Sequence, residues 1–160
     1  MSSQATPGAI SELLDAAGVP YRHLIHIPTR TSQESAAARG EPLEHGAKAI
    51  VAKCDGEFRL LVVSAAKKLH TASARASLGV RDIRFASLEE LKELTGLEPG
   101  GVPPFGRPVL PLNLYVDEGI TRLERVAFNA ASLTESIIMS AKDYLAAAKP
   151  KEIVRLASPD

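Results

Sequence analysis

The sequence predicts one α/β domain, built on a mixed and largely antiparallel sheet that is flanked by helices. Helix-like and strand-like segments alternate along the chain, but without the regular βαβ spacing that produces a parallel sheet. The length of 160 residues suits a single core. No repeat, linker or biased tract divides the chain, so we expect one domain over residues 1–160.

The first third of the chain predicts two helices around one strand. Residues near 8–17 place apolar side chains at helical spacing and end at a glycine. VPYRHLIHI, residues 19–27, alternates as a strand does. Thr31 followed by Glu34 is a capping box, which predicts a short helix that ends at Gly40.

A hairpin is the clearest element of the middle third. AKAIVAKC and EFRLLVVS flank Asp55-Gly56, and this dipeptide between β-rich runs is typical of a tight turn. TASARASLG then predicts a helix, and RDIRFAS a short strand. Ser87 with Glu90 forms a second capping box, which opens the helix LEELKELTG.

The last third predicts three strands and one helix, and its tail after Pro150 stays unassigned. The helix AKDYLAAAK stops at that proline, which cannot continue it. The strands, in chain order, are PVLPLNLYVDE, RVAFNA and ESIIMS.

Charge and hydropathy exclude several classes of protein. Basic and acidic residues number 19 each, so no overall field attracts DNA or a membrane surface. The most apolar run, LLVVSAA, is too short for a membrane span, and the N-terminus lacks a signal-peptide pattern. We expect a cytoplasmic protein with no membrane partner and no DNA partner.

Cysteine and histidine usage predicts that the protein has no metal site. Cys54 is the only cysteine and reads as a half-buried strand residue, although a nucleophile assisted by His45 stays open. No phosphate-binding, dinucleotide-binding, zinc-protease or nucleophile-elbow motif occurs. The four histidines do not fall at metal-ligand spacings: His23, His26, His45 and His70.

The loop TGLEPGGVPPF, residues 95–105, combines backbone freedom with backbone restriction. Gly100 and Gly101 can adopt positive φ and leave room for a ligand, whereas Pro103 and Pro104 hold φ fixed. Such a loop can present free N–H groups to an anionic or carbonyl oxygen. The alternative is a purely structural turn between a helix and a strand.

Lys48 stands at the start of the first hairpin strand. A strand end can direct an ammonium group into a cleft, but a lysine beside an apolar strand is also an ordinary surface group. The sequence leaves both interpretations open.

Taken together, these segments resemble the YbaK/prolyl-tRNA synthetase-associated domain family of aminoacyl-tRNA editing proteins. The resemblance covers about residues 8–147, the expected core. Its most specific parts are Lys48 at the head of its strand and the loop Gly100–Pro104. The matching segments are LLDAAGVPY, HIPTRTSQESAAARG, AKAIVAKCDGEFRLLVVS, LGVRDIRFASLEELKELTGLEPGGVPPFG and LPLNLYVDEGI.

The resemblance implies a freestanding hydrolase that deacylates mischarged tRNA. Its fold would be a mixed α/β domain around a curved sheet, and it would need no cofactor and no metal. Substrates in the family are alanyl-, cysteinyl-, seryl- and threonyl-tRNAs, with tRNA(Pro) as the expected carrier. A non-catalytic module that binds tRNA or an aminoacyl-adenosine, and a domain that docks on a synthetase, remain alternatives.

The resemblance also implies roles for individual residues. Lys48 would anchor the terminal adenosine end of the tRNA, and Gly101 N–H would orient the ester carbonyl or the attacking water. The remaining expected substrate contacts are Gly100, Val102, Pro103, Pro104, His26, Thr31, Asn129 and Ser136. Thr31 is also explained by its capping box alone, and Phe105 is expected to anchor the loop in the core.

Two positions depart from relatives in the resemblance. Pro103 replaces a Ser or Thr that many relatives carry before the loop proline. Ser136 lies near the position of an Asp in a cysteine-editing subgroup. For tRNA phosphates, a local basic rim is expected from Arg22, Arg30, Lys53, Lys67, Lys68 and Arg75.

Overall fold

The computed structural model describes residues 5–158, so the predicted bounds of 1–160 extend beyond the described part at both ends. The described residues include five α-helices: α1 Pro7–Ala17, α2 Ser32–Arg39, α3 Thr71–Leu78, α4 Leu88–Thr95 and α5 Ala141–Ala148. They also include eight strands: β1 Arg22–Ile25, β2 Ala47–Cys54, β3 Glu57–Ser64, β4 Ile83–Phe85, β5 Asn113–Asp117, β6 Arg125–Asn129, β7 Glu135–Ser140 and β8 Glu152–Val154. Two 3₁₀ helices cover Leu43–His45 and Glu118–Arg122.

The strands form two sheets rather than one. A five-stranded sheet has the order β4-β2-β3-β5-β8, and a three-stranded sheet has the order β1-β7-β6. Strand β5 runs parallel to β3 and to β8, whereas the other strand pairs are antiparallel. A parallel bridge from Gly46 to Ala127 joins the sheets. The prediction of a mixed, largely antiparallel α/β fold is confirmed.

Local hydrogen bonding explains why the predicted helices begin where they do. The Thr31 hydroxyl accepts a hydrogen bond from Glu34 N–H at 3.1 Å, and the Glu34 carboxylate accepts one from Thr31 N–H. Ser87 and Glu90 make the same reciprocal pair at the start of α4. Each capping box satisfies amide groups that the first helical turn leaves unpaired.

The hairpin between β2 and β3 is also confirmed. Asp55 and Gly56 have φ values of 48° and 86°. Positive φ at both central residues matches the twist of the flanking strands, and the pairing runs from Cys54–Glu57 to Ala47–Ser64. The hairpin places Lys48, the second residue of β2, near the junction of the two sheets.

Two segments differ from the prediction. PVLPLNLYVDE forms a strand only at Asn113–Asp117, because Pro108 and Pro111 lack amide hydrogens and Leu110 N–H closes a turn onto the Gly106 carbonyl. The unassigned tail contains β8, which adds to the edge of the larger sheet beside β5.

An aromatic cluster joins the loop after α4 to the core. The Phe105 ring packs edge-on against Phe128 and Tyr144, with centroids 5.3 and 5.4 Å apart. The Tyr144 hydroxyl donates a 2.6 Å hydrogen bond to the Pro104 carbonyl, and burial raises the pKa of that hydroxyl. The end of the loop is therefore fixed from inside the protein.

No helix within residues 5–158 combines the length and the apolar character that crossing a membrane requires.

Candidate functional site

A cleft of about 320 Å³ lies at the junction of the two sheets. Its floor is the first half of β2, one side is α2 with the end of β6, and the other side is β4 with α4. The turn Pro99–Val102 closes one end. Lys48 and Gly100, which are far apart in the sequence, both line this cleft.

Lys48 reaches the cleft, and no carboxylate within residues 5–158 forms an ion pair with it. Its Nζ donates a hydrogen bond to the Lys67 carbonyl at 3.1 Å. Burial, and then the charge of Lys68, lower the pKa of the Lys48 ammonium. An ammonium that keeps a donor free in a half-buried place favours an incoming anion, because its charge is otherwise uncompensated.

Gly100 occupies a corner that no other residue fits. Its φ is +92°, and a Cβ at this position would lie 2.9 Å from the Arg30 carbonyl oxygen. The backbone of Arg30 cannot give way as a flexible side chain would. The glycine therefore allows two backbone segments to meet at the mouth of the cleft.

Asn129 holds this corner in place. Its Nδ2 donates a 2.8 Å hydrogen bond to the Gly100 carbonyl, and its Oδ1 accepts hydrogen bonds from Arg39 Nη2 at 3.1 Å and Ser136 Oγ at 3.0 Å. Because the side chain is buried and its oxygen and nitrogen are both engaged, the amide has one orientation.

Arg39, the last residue of α2, is a cleft residue that sequence reasoning missed. Its Nε donates to Ser136 Oγ at 2.9 Å and its Nη2 donates to Asn129 Oδ1. Burial lowers the pKa of Arg39 to about 10, with the charge of Glu41 opposing, so the guanidinium stays charged at neutral pH. In the sequence, an arginine at the end of SAAAR looks like an exposed cation at a helix C-terminus.

The four predicted polar contacts divide into two pairs. Thr31 and Asn129 line the cleft, whereas His26 and Ser136 do not. Ser136 is 0% exposed and shares a 2.8 Å hydrogen bond with His26 Nε2. His26 and Ser136 therefore support the wall of the cleft from behind.

The loop residues after Gly100 also need correction. The Gly101 N–H donates to the Glu98 carbonyl at 3.0 Å, so the expected free amide is bonded within a turn. Pro103 and Pro104 are buried behind the loop and do not line the cleft, and neither does Gly101, whereas Val102 does. The structure therefore places Gly100 and Val102, not the whole loop, at the cleft.

The two long sides of the cleft differ in chemistry. One side carries hydroxyl, amide and guanidinium groups from Thr31, Ser32, Ser35, Arg39 and Asn129. The other side, together with the part of β2 beside it, carries apolar side chains from Ile50, Val51, Phe85, Ala86 and Leu91.

Charge in the cleft has one sign. Among the described residues that line it, three are basic, namely Arg30, Arg39 and Lys48, and none is a carboxylate or a histidine. Arg30 makes an exposed 3.5 Å ion pair with Glu98, which does not line the cleft. Such a cleft suits a ligand that carries negative charge, or develops it.

Only some residues of the predicted basic rim lie near the cleft. Arg30 lines the cleft, and Lys67 and Lys68 lie beside Lys48. Lys53 instead stacks on the Phe58 ring, 5.4 Å from its centroid.

The alternative of a Cys54 nucleophile is wrong. Cys54 is 1% exposed within the core, and burial raises the pKa of its thiol. His45 is engaged elsewhere, since its Nδ1 lies 3.0 Å from Glu41 Oε1. A buried neutral thiol is a poor nucleophile.

A second concavity, of about 680 Å³, lies between α1, α5 and the turn Arg107–Val109. None of the predicted site residues lines it. Within residues 5–158, no three His, Cys, Asp or Glu side chains group together in a way that could hold a metal ion.

The family model for the aminoacyl-tRNA editing domain matches residues 26–147 of this sequence. That match begins just after β1, spans the hairpin, the Gly100 turn and most of α5, and so includes every wall of the cleft. The chain belongs to the aminoacyl-tRNA editing domain family. The resemblance inferred from Lys48 and the Gly100–Pro104 loop is therefore confirmed.

Individual relatives agree with this assignment. The chain is 32% identical over 145 residues to the multifunctional Ser/Thr-tRNA deacylase ProXp-y of Escherichia coli, covering 87% of this chain and 86% of the relative. It is 35% identical over 107 residues to a proline–tRNA ligase of Bacillus licheniformis, covering 66% of this chain but 18% of the ligase.

A solved structure of a candidate trans-editing enzyme for prolyl tRNA synthetase has the same fold. The TM-score is 0.77 at 27% sequence identity, and the alignment covers 95% of this chain and 96% of that one. The editing-domain fold predicted from the sequence is confirmed.

Proposed function

We propose that this protein hydrolyses the ester bond of mischarged aminoacyl-tRNA, and that the cleft at the junction of the two sheets is where it does so. The observation that carries the proposal is the meeting of Lys48 and the Gly100 corner in one cleft, in a chain of the editing family. The similarity to a Ser/Thr-tRNA deacylase over most of both chains supports the activity.

Lys48 binds the end of the tRNA in this proposal. Its ammonium is a compact charge with rotatable donors, which suits a phosphate oxygen of the terminal nucleotide. Arg30, at the exposed end of the cleft, and the neighbouring Lys67 and Lys68 extend the positive surface. Affinity for tRNA is therefore expected to fall as salt rises.

The aminoacyl group lies between the two walls. The volume of about 320 Å³ is at the lower end of ligand pockets, so large side chains are excluded by size. The hydroxyl, amide and guanidinium groups of one wall favour side chains that hydrogen-bond, such as those of serine and threonine. Alanyl and cysteinyl groups are small enough to enter as well.

Hydrolysis in this cleft does not require a protein nucleophile. An aminoacyl ester is already reactive, so positioning the ester and a water molecule supplies much of the acceleration. Among the described residues, none that lines the cleft has a carboxylate or an imidazole to act as a general base. A hydroxyl of the substrate ribose is therefore expected to assist the attack.

Deacylation of a panel of mischarged tRNAs tests the activity. Ala-, Cys-, Ser- and Thr-tRNA(Pro) and cognate Ser- and Thr-tRNAs are incubated with the protein and with Lys48→Ala. We expect hydrolysis of at least one small aminoacyl group, strongly reduced in the variant. Hydrolysis no faster than with the variant for every substrate would overturn the proposal.

One observation favours a second candidate, a module that binds tRNA or an aminoacyl-adenosine without turnover. The described lining of the cleft offers no carboxylate or imidazole as a general base, and this, together with the bonded Gly101 amide, fits binding as well as hydrolysis. Saturable binding of a mischarged tRNA that leaves its ester intact would favour this candidate.

The relatives support a proposal for the carrier tRNA and for a protein partner. Similarity to a segment of proline–tRNA ligases supports tRNA(Pro) as a carrier and a synthetase as a partner. Docking on a synthetase would appear as a complex with prolyl-tRNA synthetase in size-exclusion chromatography.

A further inference from the structure

Arg39 carries a positive charge that no side chain neutralises. Over residues 5–158, no carboxylate forms an ion pair with it. The acidic residue that influences it, Glu41, is already engaged by His45 at 3.0 Å and by Arg125 at 3.2 Å. A half-buried cation without a counter-ion is costly unless a ligand completes it.

The guanidinium of Arg39 is fixed, yet it keeps a donor group in reserve. Its Nε and Nη2 are held by Ser136 and Asn129, at 2.9 and 3.1 Å. Its Nη1 has no hydrogen-bond partner in the described part of the chain, and it is not sealed from solvent. Because a guanidinium is planar, fixing two nitrogens also fixes the direction of the third.

The reaction needs such a donor. When water attacks an aminoacyl ester, a bond forms between the water oxygen and the carbonyl carbon, and the carbonyl electron pair moves to its oxygen. The resulting oxyanion collapses, the bond to the ribose oxygen breaks, and the proton lost by the water ends on that ribose oxygen. Negative charge therefore develops briefly on one oxygen.

The expected donor for this oxygen is occupied. The Gly101 amide donates to the Glu98 carbonyl, so the amide that the sequence led us to expect as the donor is already bonded. Lys48 lies on the β2 floor with its Nζ bonded to the Lys67 carbonyl. Arg39, on the α2 wall, is the remaining fixed cation of the cleft.

We propose that Arg39 is a catalytic residue whose Nη1 stabilises the oxyanion formed during hydrolysis of the aminoacyl ester. The inference rests on the proposed function. Ser136 and Asn129 are positioning residues, because they orient the guanidinium before substrate arrives. A fixed donor in a partly desolvated site favours the charged transition state over the neutral ester.

Single-turnover deacylation separates the charge of Arg39 from its structural role. Arg39→Gln is expected to lower the rate by about 10²–10³-fold with little change in half-saturating enzyme concentration. Arg39→Lys keeps a charge without the fixed Nη1, so its rate should lie between those of the wild type and Arg39→Gln. Ser136→Ala, which keeps the guanidinium, should lose less than Arg39→Gln, and the exposed Arg122→Gln should match the wild type.

Binding of two substrate analogues gives a readout that is independent of turnover. One is a seryl-adenosine analogue in which an anionic tetrahedral phosphonate replaces the ester carbonyl, and the other is the neutral 3′-amide. Arg39→Gln should weaken binding of the phosphonate by at least about 100-fold, while affinity for the amide changes by less than about threefold.

The outcomes separate the two proposals. A wild-type protein that fails to deacylate any substrate overturns the proposed function, whereas a wild type that is matched in rate by Arg39→Gln overturns only the role of Arg39. Equal losses of phosphonate and amide binding would show that Arg39 acts only through the shape of the cleft. If Arg39→Gln does not fold, Arg39→Lys replaces it in this test. A larger loss of affinity for the phosphonate than for the amide then supports the role of Arg39, and equal losses contradict it.

Discussion

The two long walls of the cleft are built by different physics. The wall formed by α2 and β6 is a hydrogen-bonded network in which Arg39, Asn129 and the Gly100 carbonyl hold one another in fixed directions. The opposite wall, from β2, β4 and α4, consists of apolar side chains such as Ile50 and Leu91. Hydrogen bonds depend on direction, whereas apolar contacts depend mainly on area and fit.

This difference teaches where the protein tolerates change. A polar wall loses its function when one hydrogen-bonding side chain is removed. The groups that it bonded are left without a partner, and they are no longer held in fixed directions. Removing one methylene from an apolar wall costs little stability. The change instead enlarges the largest group that the cleft can accept. Substitutions on the two walls should therefore produce different kinds of defect.

Apart from Arg39→Gln, the largest effect is expected from Gly100→Ala, at the corner that the polar wall holds. The new Cβ would meet the Arg30 carbonyl oxygen at 2.9 Å, and φ is +92°. A displacement of about 1 Å in a catalytic geometry can cost about 100-fold in rate, and we expect a loss of that order in deacylation.

Gly79→Ala is the matched control for this corner. Gly79 also has positive φ, at +68°, but a Cβ there would meet nothing within 4 Å. Thermal unfolding should show a strain cost of about 1–2 kcal/mol for the control, with deacylation unchanged. If Gly100→Ala and Gly79→Ala lose the same activity, the close contact between residue 100 and the Arg30 backbone does not explain the loss.

The next largest effect is expected from Asn129→Ala. The substitution leaves the Gly100 carbonyl and Arg39 Nη2 without their partner, each at a cost of about 1–3 kcal/mol. We expect lower thermal stability and a lower rate of deacylation. If stability falls while the rate per folded molecule stays at the wild-type value, the network supports only the fold.

Lys48→Met should weaken tRNA binding more than it slows the chemical step. Loss of a charged hydrogen bond, worth about 1.5–3 kcal/mol, raises KM by roughly tenfold or more. The slope of log affinity against log salt should become shallower by about one. Lys142→Met, an exposed lysine on α5, is the control and should leave both quantities unchanged.

The smallest effect is expected from Ile50→Val on the apolar wall. Such a change typically costs about 0.5–1.5 kcal/mol when the side chain is buried, and Ile50 is only half-buried. Activity on small aminoacyl groups should stay near the wild-type value, and activity on a slightly larger group should rise. A loss as severe as that of Asn129→Ala would contradict the distinction between the walls.

Sequence reasoning worked best where the determinants are local. The capping boxes at Thr31 and Ser87 and the turn at Asp55-Gly56 depend on residues within three positions of one another, so their patterns are visible in the chain. The pairing of Lys48 with Gly100 spans many residues, and it was expected from the family resemblance rather than from spacing.

The parts that were missed depend on long-range contacts. Arg39 meets Asn129 and Ser136, which are 90 and 97 residues away, so nothing beside it in the sequence marks it as a cleft residue. The Gly101 amide looked free because its acceptor, the Glu98 carbonyl, is determined by the turn rather than by residue type. Strand β8 is three residues long and becomes a strand only by pairing with β5.

The central claim is that the substrate binds in the cleft between the two walls. Titration of ¹⁵N-labelled protein with the neutral 3′-amide analogue of seryl-adenosine tests it directly. We expect the largest shifts at the Gly100 amide, the Asn129 side-chain amide and the amides of Ala49 and Ile50, with none at Ala16 or Val109. Shifts that instead cluster in the concavity between α1 and α5 would contradict the claim.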